Sequence, residues 1–237
     1  MPIPDAEKLR YADFVQELWR ELDAIAIPPE TILWHYTTGS SLVAILESMT
    51  LYSTHISCLN DSSEVRYGAS CFREALKVAR LNSYRDELVV KLIDGALEYL
   101  KENPDFPAQA VAPHFVACFS EEKDDLSQWR AYGGGEDGYA IAFRAGDLWG
   151  CPNSALVRVN YDSSQHCKMA QRAVEAMIEF FFDGLKKCNR DDDAVKFGEE
   201  FLPKWEEAIT MIAPLLKDPG FNKERECRIT KGFPPAT

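Results

Sequence analysis

The hydrophobic pattern changes rhythm repeatedly along the chain. Leu9, Phe14, Leu18, Leu22 and Ile25 recur at three- to five-residue steps and predict a helix over 5–25, stopped by Pro28 and Pro29. Short runs rich in β-branched and aromatic residues predict strands at 31–36, 114–120, 138–143, 155–161 and 224–230, with a further extended piece at 51–53. Between them, Thr38-Gly39-Ser40-Ser41 opens a helix carrying Leu42, Ile45 and Leu46. Asp61 or Ser63 can cap a helical region that breaks near Asn82-Ser83, resumes through Leu88, Leu92, Ile93, Leu97 and Leu100, and ends at Pro104 and Pro107. Asp124 to Trp129 reads as one or two helical turns, and the glycine-rich stretch 133–138 as a turn. Long helical patterns then run over 163–187 and 191–216, the second bent at Pro203.

Short strands interrupted by helical inserts do not make a regular βαβα alternation. The pattern predicts an α+β domain over 31–237, its helices grouped off a mostly antiparallel or mixed sheet, with the helix of 1–30 packed onto it. The helical insertions fall near 64–103 and 163–216, and no internal repeat or Gly/Ser/Pro-rich linker interrupts them. Of the 237 residues 46% are hydrophobic and 27% charged, which excludes collagen-like and intrinsically disordered classes. No apolar run approaches the ~18 residues of a membrane helix, and the start lacks a basic segment followed by an apolar one, so neither membrane nor signal peptide is expected. The net charge of −12 argues against broad binding to duplex nucleic acid, whose affinity comes from clustered Lys and Arg. Seven scattered cysteines without a C-x-x-C spacing point to free thiols in a reducing cytoplasm.

Several chemistries are set aside. The chain has no G-x-G-x-x-G after a strand, no phosphate loop ending in Gly-Lys-Ser/Thr and no H-E-x-x-H. Its four histidines are too dispersed for a zinc site, and no metal is expected. A Cys–His pair such as Cys118 with His35 is compatible with the spacing, although a cysteine in a strand is usually inert core.

Three segments place polar groups where strands should be apolar. In Trp34-His35-Tyr36-Thr37, His35 and Tyr36 point to opposite faces, so one faces the core and one a cleft. The plainer alternative is an imidazole donating to a carbonyl within the sheet. In Cys118-Phe119-Ser120-Glu121, followed by Asp125-Leu126-Ser127-Gln128-Trp129, a hydroxyl sits at a strand mouth, or simply makes a turn before a helix cap. In Glu224-Arg225-Glu226-Cys227-Arg228-Ile229, the period of two puts Glu224, Glu226 and Arg228 on one strand face. Two such carboxylates need a cationic partner or a job, unless the strand is a solvated edge.

These segments, with Leu59-Asn60-Asp61-Ser62-Ser63-Glu64, Tyr132 and Gly138-Tyr139-Ala140-Ile141-Ala142-Phe143, occur in an order that resembles the bacterial domain-of-unknown-function family 2971 over roughly residues 32–230. Members of that family often continue with another strand or helix after Glu-x-Glu, so a C-terminal piece is expected beyond this chain. More distantly, the layout resembles the ADP-ribosyltransferase fold, which implies a split, mostly antiparallel sheet clasping NAD. Carried over residue by residue, that resemblance makes His35 the ribose-holding residue, with Tyr36 and Thr37 beside it, and Ser120 a pocket residue. It makes Trp129 and Tyr132, with Tyr36 and Tyr52, candidate aromatics for the nicotinamide. Glu226 becomes the catalytic carboxylate and Glu224 the acceptor-positioning one. By its chemistry Arg228 or Arg225 can bind a pyrophosphate or anionic target, and Arg228 can equally neutralise the glutamate pair. The strand here reads Phe-Ser-Glu where that fold has Ser-Thr-Ser.

The implied function is NAD-dependent transfer of ADP-ribose to an unknown acceptor (protein, nucleotide or nucleic acid), as in a bacterial toxin or antiphage effector. Cleaving the nicotinamide–ribose bond builds positive charge on the ribose, which a carboxylate stabilises more in the transition state than in the ground state. The alternatives are a non-catalytic nucleotide- or protein-binding module on the same fold, and a metal-dependent hydrolase using Asp61, Glu64, Asp124 and Asp125.

Overall fold

The computed structural model describes residues 27–59, 63–83, 87–102, 115–133, 137–149, 154–186 and 212–231, with 197, 201, 204, 205 and 208–210. The helix expected over 5–25 and the Asn60-Asp61-Ser62 turn lie outside these residues. The elements are β1 (Ile32–Thr38), α1 (Gly39–Ser48), β2 (Thr54–His55), α2 (Ser63–Asn82), α3 (Glu87–Glu102) and β3 (Phe115–Ser120), then α4 (Leu126–Tyr132), β4 (Gly138–Arg144), α5 (Ala145–Leu148), β5 (Ser154–Arg158), α6 (Ser163–Leu185) and β6 (Glu226–Lys231). Three short 3-10 turns, Ile56–Cys58, Ala213–Leu215 and Pro219–Glu224, link them.

The strands form one open antiparallel sheet in the order β4-β1-β3-β6-β5, with β2 paired to β3. This is an α+β fold, as the pattern predicts. Strand alternation divides its two faces. Val116 and Val157 point into the larger core, formed with α2, α3, α6 and the buried Phe197, Phe201 and Trp205. Ala117, Phe119, Leu156, Cys227 and Ile229 point into a smaller core closed by Ile27, Leu33, Ala145 and Leu148. The helical layer closes tightly where α2 meets the turn at 213–215. A Cβ on Gly68 would lie 2.7 Å from the Ala213 Cβ, so glycine is what permits the approach.

The last strand departs from the sequence expectation. Asp218 caps a 3-10 turn over Pro219–Glu224, its side chain accepting from the Gly220 amide, and Arg225 then adopts a left-handed φ of 42°. The strand therefore starts at Glu226, and Glu224 is not on its face. Nor is β6 a solvated edge: it lies between β3 and β5 and is buried from Glu226 to Thr230. The extended piece expected at 51–53 is found at Thr54–His55.

Candidate functional site

The sheet is not continuous across its middle. β1 pairs with β4 over its whole length but with β3 at one position, Trp34 with Ser120. Beyond that pair the two strands part. The other end of the same β3 edge is taken by β2, through Thr54–Val116. Between these pairings the edge of β3 at Cys118 has no strand partner among the described residues, and a cavity of about 550 Å³ opens there. Residues 34–38 of β1 and 116–118 of β3 line it, with Ser40 and Ser41 of α1 and Gln128 and Tyr132 of α4. The volume suits a small-molecule ligand.

His35 explains how the gap is tolerated. Its Nδ1 lies 2.9 Å from the Cys118 carbonyl oxygen, so the imidazole replaces the missing ladder bond. A carbonyl only accepts, so Nδ1 carries the proton and Nε2 is left as a bare acceptor in a cavity-lining residue. Burial holds the His35 pKa below the ordinary imidazole value, against the opposing pull of the Cys118 carbonyl, so the ring is neutral at pH 7. The plainer alternative for this histidine and its candidate cleft role thus hold together: one nitrogen serves the sheet, and the other remains available.

Tyr36 and Thr37 also line the cavity. The Tyr36 hydroxyl, however, is used by the fold. It donates to the Glu122 carbonyl at 2.7 Å and accepts from the Asp125 amide at 3.2 Å, so the ring is its contribution to the wall. Trp129 does not reach the lining. It packs edge-on against Tyr36 at 4.7 Å, and its indole N–H donates to Asp124. Ser120 is 1% exposed. It donates to the Glu224 carbonyl and accepts from the Glu122 amide, which makes it a turn residue. Asp125 caps α4 through the Ser127 amide.

The charged residues assemble elsewhere, beneath the cavity floor. Lys217 Nζ lies 2.8 Å from Glu64, 2.5 Å from Glu224 and 2.9 Å from Glu226. Arg228 holds Glu226 through Nε at 2.7 Å and Glu64 through Nη2 at 2.7 Å, and donates to the Pro214 carbonyl at 3.0 Å. Glu226 and Arg228 are 4% and 1% exposed. Burial alone would raise the Glu226 pKa, but Arg228 and Lys217 outweigh it and hold the carboxyl at about 2. For Glu224, burial wins over Lys217 and raises its pKa. The two glutamates therefore do converge, but on a lysine. The cationic partner that the Glu-x-Glu pattern demands is supplied twice over.

Cys118 connects the two regions. It lines the cavity, and its thiol hydrogen-bonds Glu226. Burial and the Glu226 charge push its pKa well up, so the thiol stays protonated and donates. A Cys118–His35 nucleophile pair is not assembled: the imidazole engages the carbonyl, and the thiol engages the glutamate.

Of the residues singled out in the sequence, His35, Tyr36, Thr37, Tyr52 and Tyr132 meet in the cavity, while Ser120, Trp129, Glu224, Glu226 and Arg228 do not line it. Gln128 was missed. It stands on the same face of α4 as Ala131 and Tyr132, at three- and four-residue spacing, which is the signal that could have found it. Lys217 and Glu64 were missed as counter-ions because Lys217 follows a long helical pattern and Glu64 reads as a helix-start charge. Glu64 is committed to the ion network, and Asp124 and Asp125 to helix α4. Among the described residues no group of three or more His, Cys, Asp or Glu is placed to hold a metal ion. Nor is any described helix long and apolar enough to cross a membrane.

The fold and site define an α+β protein with a ligand-sized cleft in a parted sheet. Residues 128–229, from Gln128 on α4 to Ile229 on β6, match the family described as Protein of unknown function (DUF2971), and the family resemblance carried by the motifs stands. No curated protein and no solved structure matches the chain.

Proposed function

We propose that the protein binds NAD in the cleft between β1 and β3 and is an ADP-ribosyltransferase-like enzyme acting on an acceptor yet to be identified. The observation that carries this reading is His35. A neutral imidazole fixed through Nδ1, with Nε2 free to accept, is suited to a ribose hydroxyl. Tyr132 and the ring of Tyr36 supply flat surface for a base or nicotinamide. In the reaction the glycosidic bond breaks, nicotinamide leaves with the electron pair, and the acceptor's nucleophile forms the new bond to the ribose carbon as its proton departs to a base. Glu226 lies one side chain behind the floor, reached through Cys118, and supplies negative charge to the developing cation.

The second reading, a non-catalytic nucleotide-binding module, is favoured by one observation: both Glu226 oxygens are engaged by Arg228 or Lys217. Titration calorimetry with NAD, alongside nicotinamide release in the presence of cell extract, separates the two. The transferase reading expects binding and release, with release lowered roughly 10²–10³-fold in Glu226→Gln. Binding without release in the wild type establishes the module instead. Absence of NAD binding sinks both.

A further inference from the structure

The geometry points to an anion subsite at the start of α1 that takes a phosphate group of the bound nucleotide; this rests on the nucleotide reading above. Helix α1 is ten residues long and begins at the cavity, where Thr38, Ser40 and Ser41 all line the wall. The first amides of a helix have no partner within it. Here the fold supplies acceptors for two of them: Gly39 donates to the Asp137 carbonyl at 3.2 Å, and Ser41 to the Thr38 hydroxyl at 3.3 Å. The amide between them, on Ser40, is left to whatever occupies the cavity. Two further hydroxyls stand beside it: Thr38 Oγ1 donates to Ser41 Oγ at 3.1 Å and lies 3.0 Å from Ser40 Oγ, so the Ser40 and Ser41 hydroxyls can turn to donate outward. The positive end of the helix dipole adds to them.

Two further features single this terminus out. Gln128 lines the same cavity, is 7% exposed, and its amide has no hydrogen-bond partner among the described residues. The amide faces the cavity unpaired, so its donors and acceptor are open to a ligand. Among the described residues the lining contains no Asp, Glu, Lys or Arg, and α1 has no acidic residue in its first turn, in a chain of net charge −12. An anion entering here meets no carboxylate of these residues. A nucleotide carries both a phosphate and a donor–acceptor edge for Gln128.

Ser40→Asp tests the subsite. Ser40 is exposed, and a carboxylate in the first turn of a helix is stabilising, so the variant keeps its fold. The same charge faces any phosphate bound there. Calorimetry with NAD, AMP, adenosine and inorganic pyrophosphate is expected to give at least tenfold weaker NAD, AMP and pyrophosphate binding in Ser40→Asp. Adenosine should stay within twofold, and the melting temperature should not fall. Ser40→Ala, which keeps the amide and the dipole, should stay within about threefold for all ligands. If Ser40→Asp binds NAD and AMP as the wild type does, the subsite is refuted while the nucleotide reading survives. If the wild type binds pyrophosphate in an Asp-sensitive way but no nucleotide, the subsite stands and the nucleotide reading falls. Binding of neither overturns both.

Discussion

The cavity and the ion network lie back to back across the Cys118 side chain, yet they are built on opposite principles. Among the described residues, the cavity wall has hydroxyls, an imidazole and an amide but no formal charge. The network packs three carboxylates against two cations with almost no exposure. The contrast teaches that charge in this chain marks structure, and that neutral donors and acceptors mark the surface open to a ligand. Buried ions need one another, because each stripped of water costs several kcal/mol unless paired and hydrogen-bonded. Neutral polar groups tolerate a half-filled coordination and so can wait for an occupant.

The largest effect that could break this comparison comes from Arg228→Ala. Removing one partner of a buried network strands the others, and a loss of about 3–5 kcal/mol is expected in chemical denaturation. A loss below about 1 kcal/mol is incompatible with a structural network. Next is Gly68→Val. Its Cβ meets Ala213 at 2.7 Å, and Glu64 lies one turn earlier on the same face of α2, so the substitution pushes Glu64 away from Arg228. Overpacking of this kind costs about 1–3 kcal/mol. An unchanged midpoint means that α2 is not held against the turn at 213–215. On the cavity side, His35→Ala should weaken NAD binding by about 1–2 kcal/mol, the worth of one or two hydrogen bonds. Equal affinity in both proteins removes His35 from the site.

The smallest effect sharpens the comparison through pH. His35 and His166 both have pKa values lowered by burial. A depressed histidine contributes stability that is complete above the unfolded value of about 6.5 and declines as pH falls through the folded value. Glu226, held at about 2, contributes stability that is complete above the unfolded carboxyl value of about 4.3 and is lost as pH falls towards 2. Acid melts should therefore weaken the protein in two stages, the histidines below about pH 6.5 and Glu226 only below about pH 4. In His35→Gln the first stage should shrink and the second remain. A single acid transition confined below pH 4 removes the histidine stage.

Much of the sheet was legible because its strands are dense in β-branched and aromatic residues, and alternation already put Glu226 with Arg228 and Cys227 with Ile229. The site was legible in part. Polar groups interrupting an apolar run marked Trp34-His35-Tyr36-Thr37 as a cleft segment, but alternation gave the cleft only one of His35 and Tyr36, whereas both line the cavity. What the segment could not reveal was that β1 leaves β3 after one pair, since pairing between strands more than 80 residues apart has no local signature. The roles of Glu224 and Glu226 were hidden for a related reason. Arg225 in a left-handed conformation takes Glu224 off the strand, and Lys217, nine residues before Glu226, lies just past a segment that reads as helix. Ser120 reads equally as pocket or turn until its two hydrogen bonds are seen.

The central position of β6 has a consequence for the birth of the protein. Both β3 and β5 are completed by β6, and Arg228 on that strand neutralises Glu64, some 160 positions upstream. While the chain is being synthesised, Glu64 and the inner edges of two strands must persist without their partners until the ribosome has passed Lys231. The cleft floor at Cys118 therefore forms late, and long-range pairing of this kind is intrinsically slow to fold. A chain terminated ahead of Glu226 lacks both the strand that backs the cleft and the cation that makes its interior tolerable. Any activity housed there is withheld until translation has delivered β6.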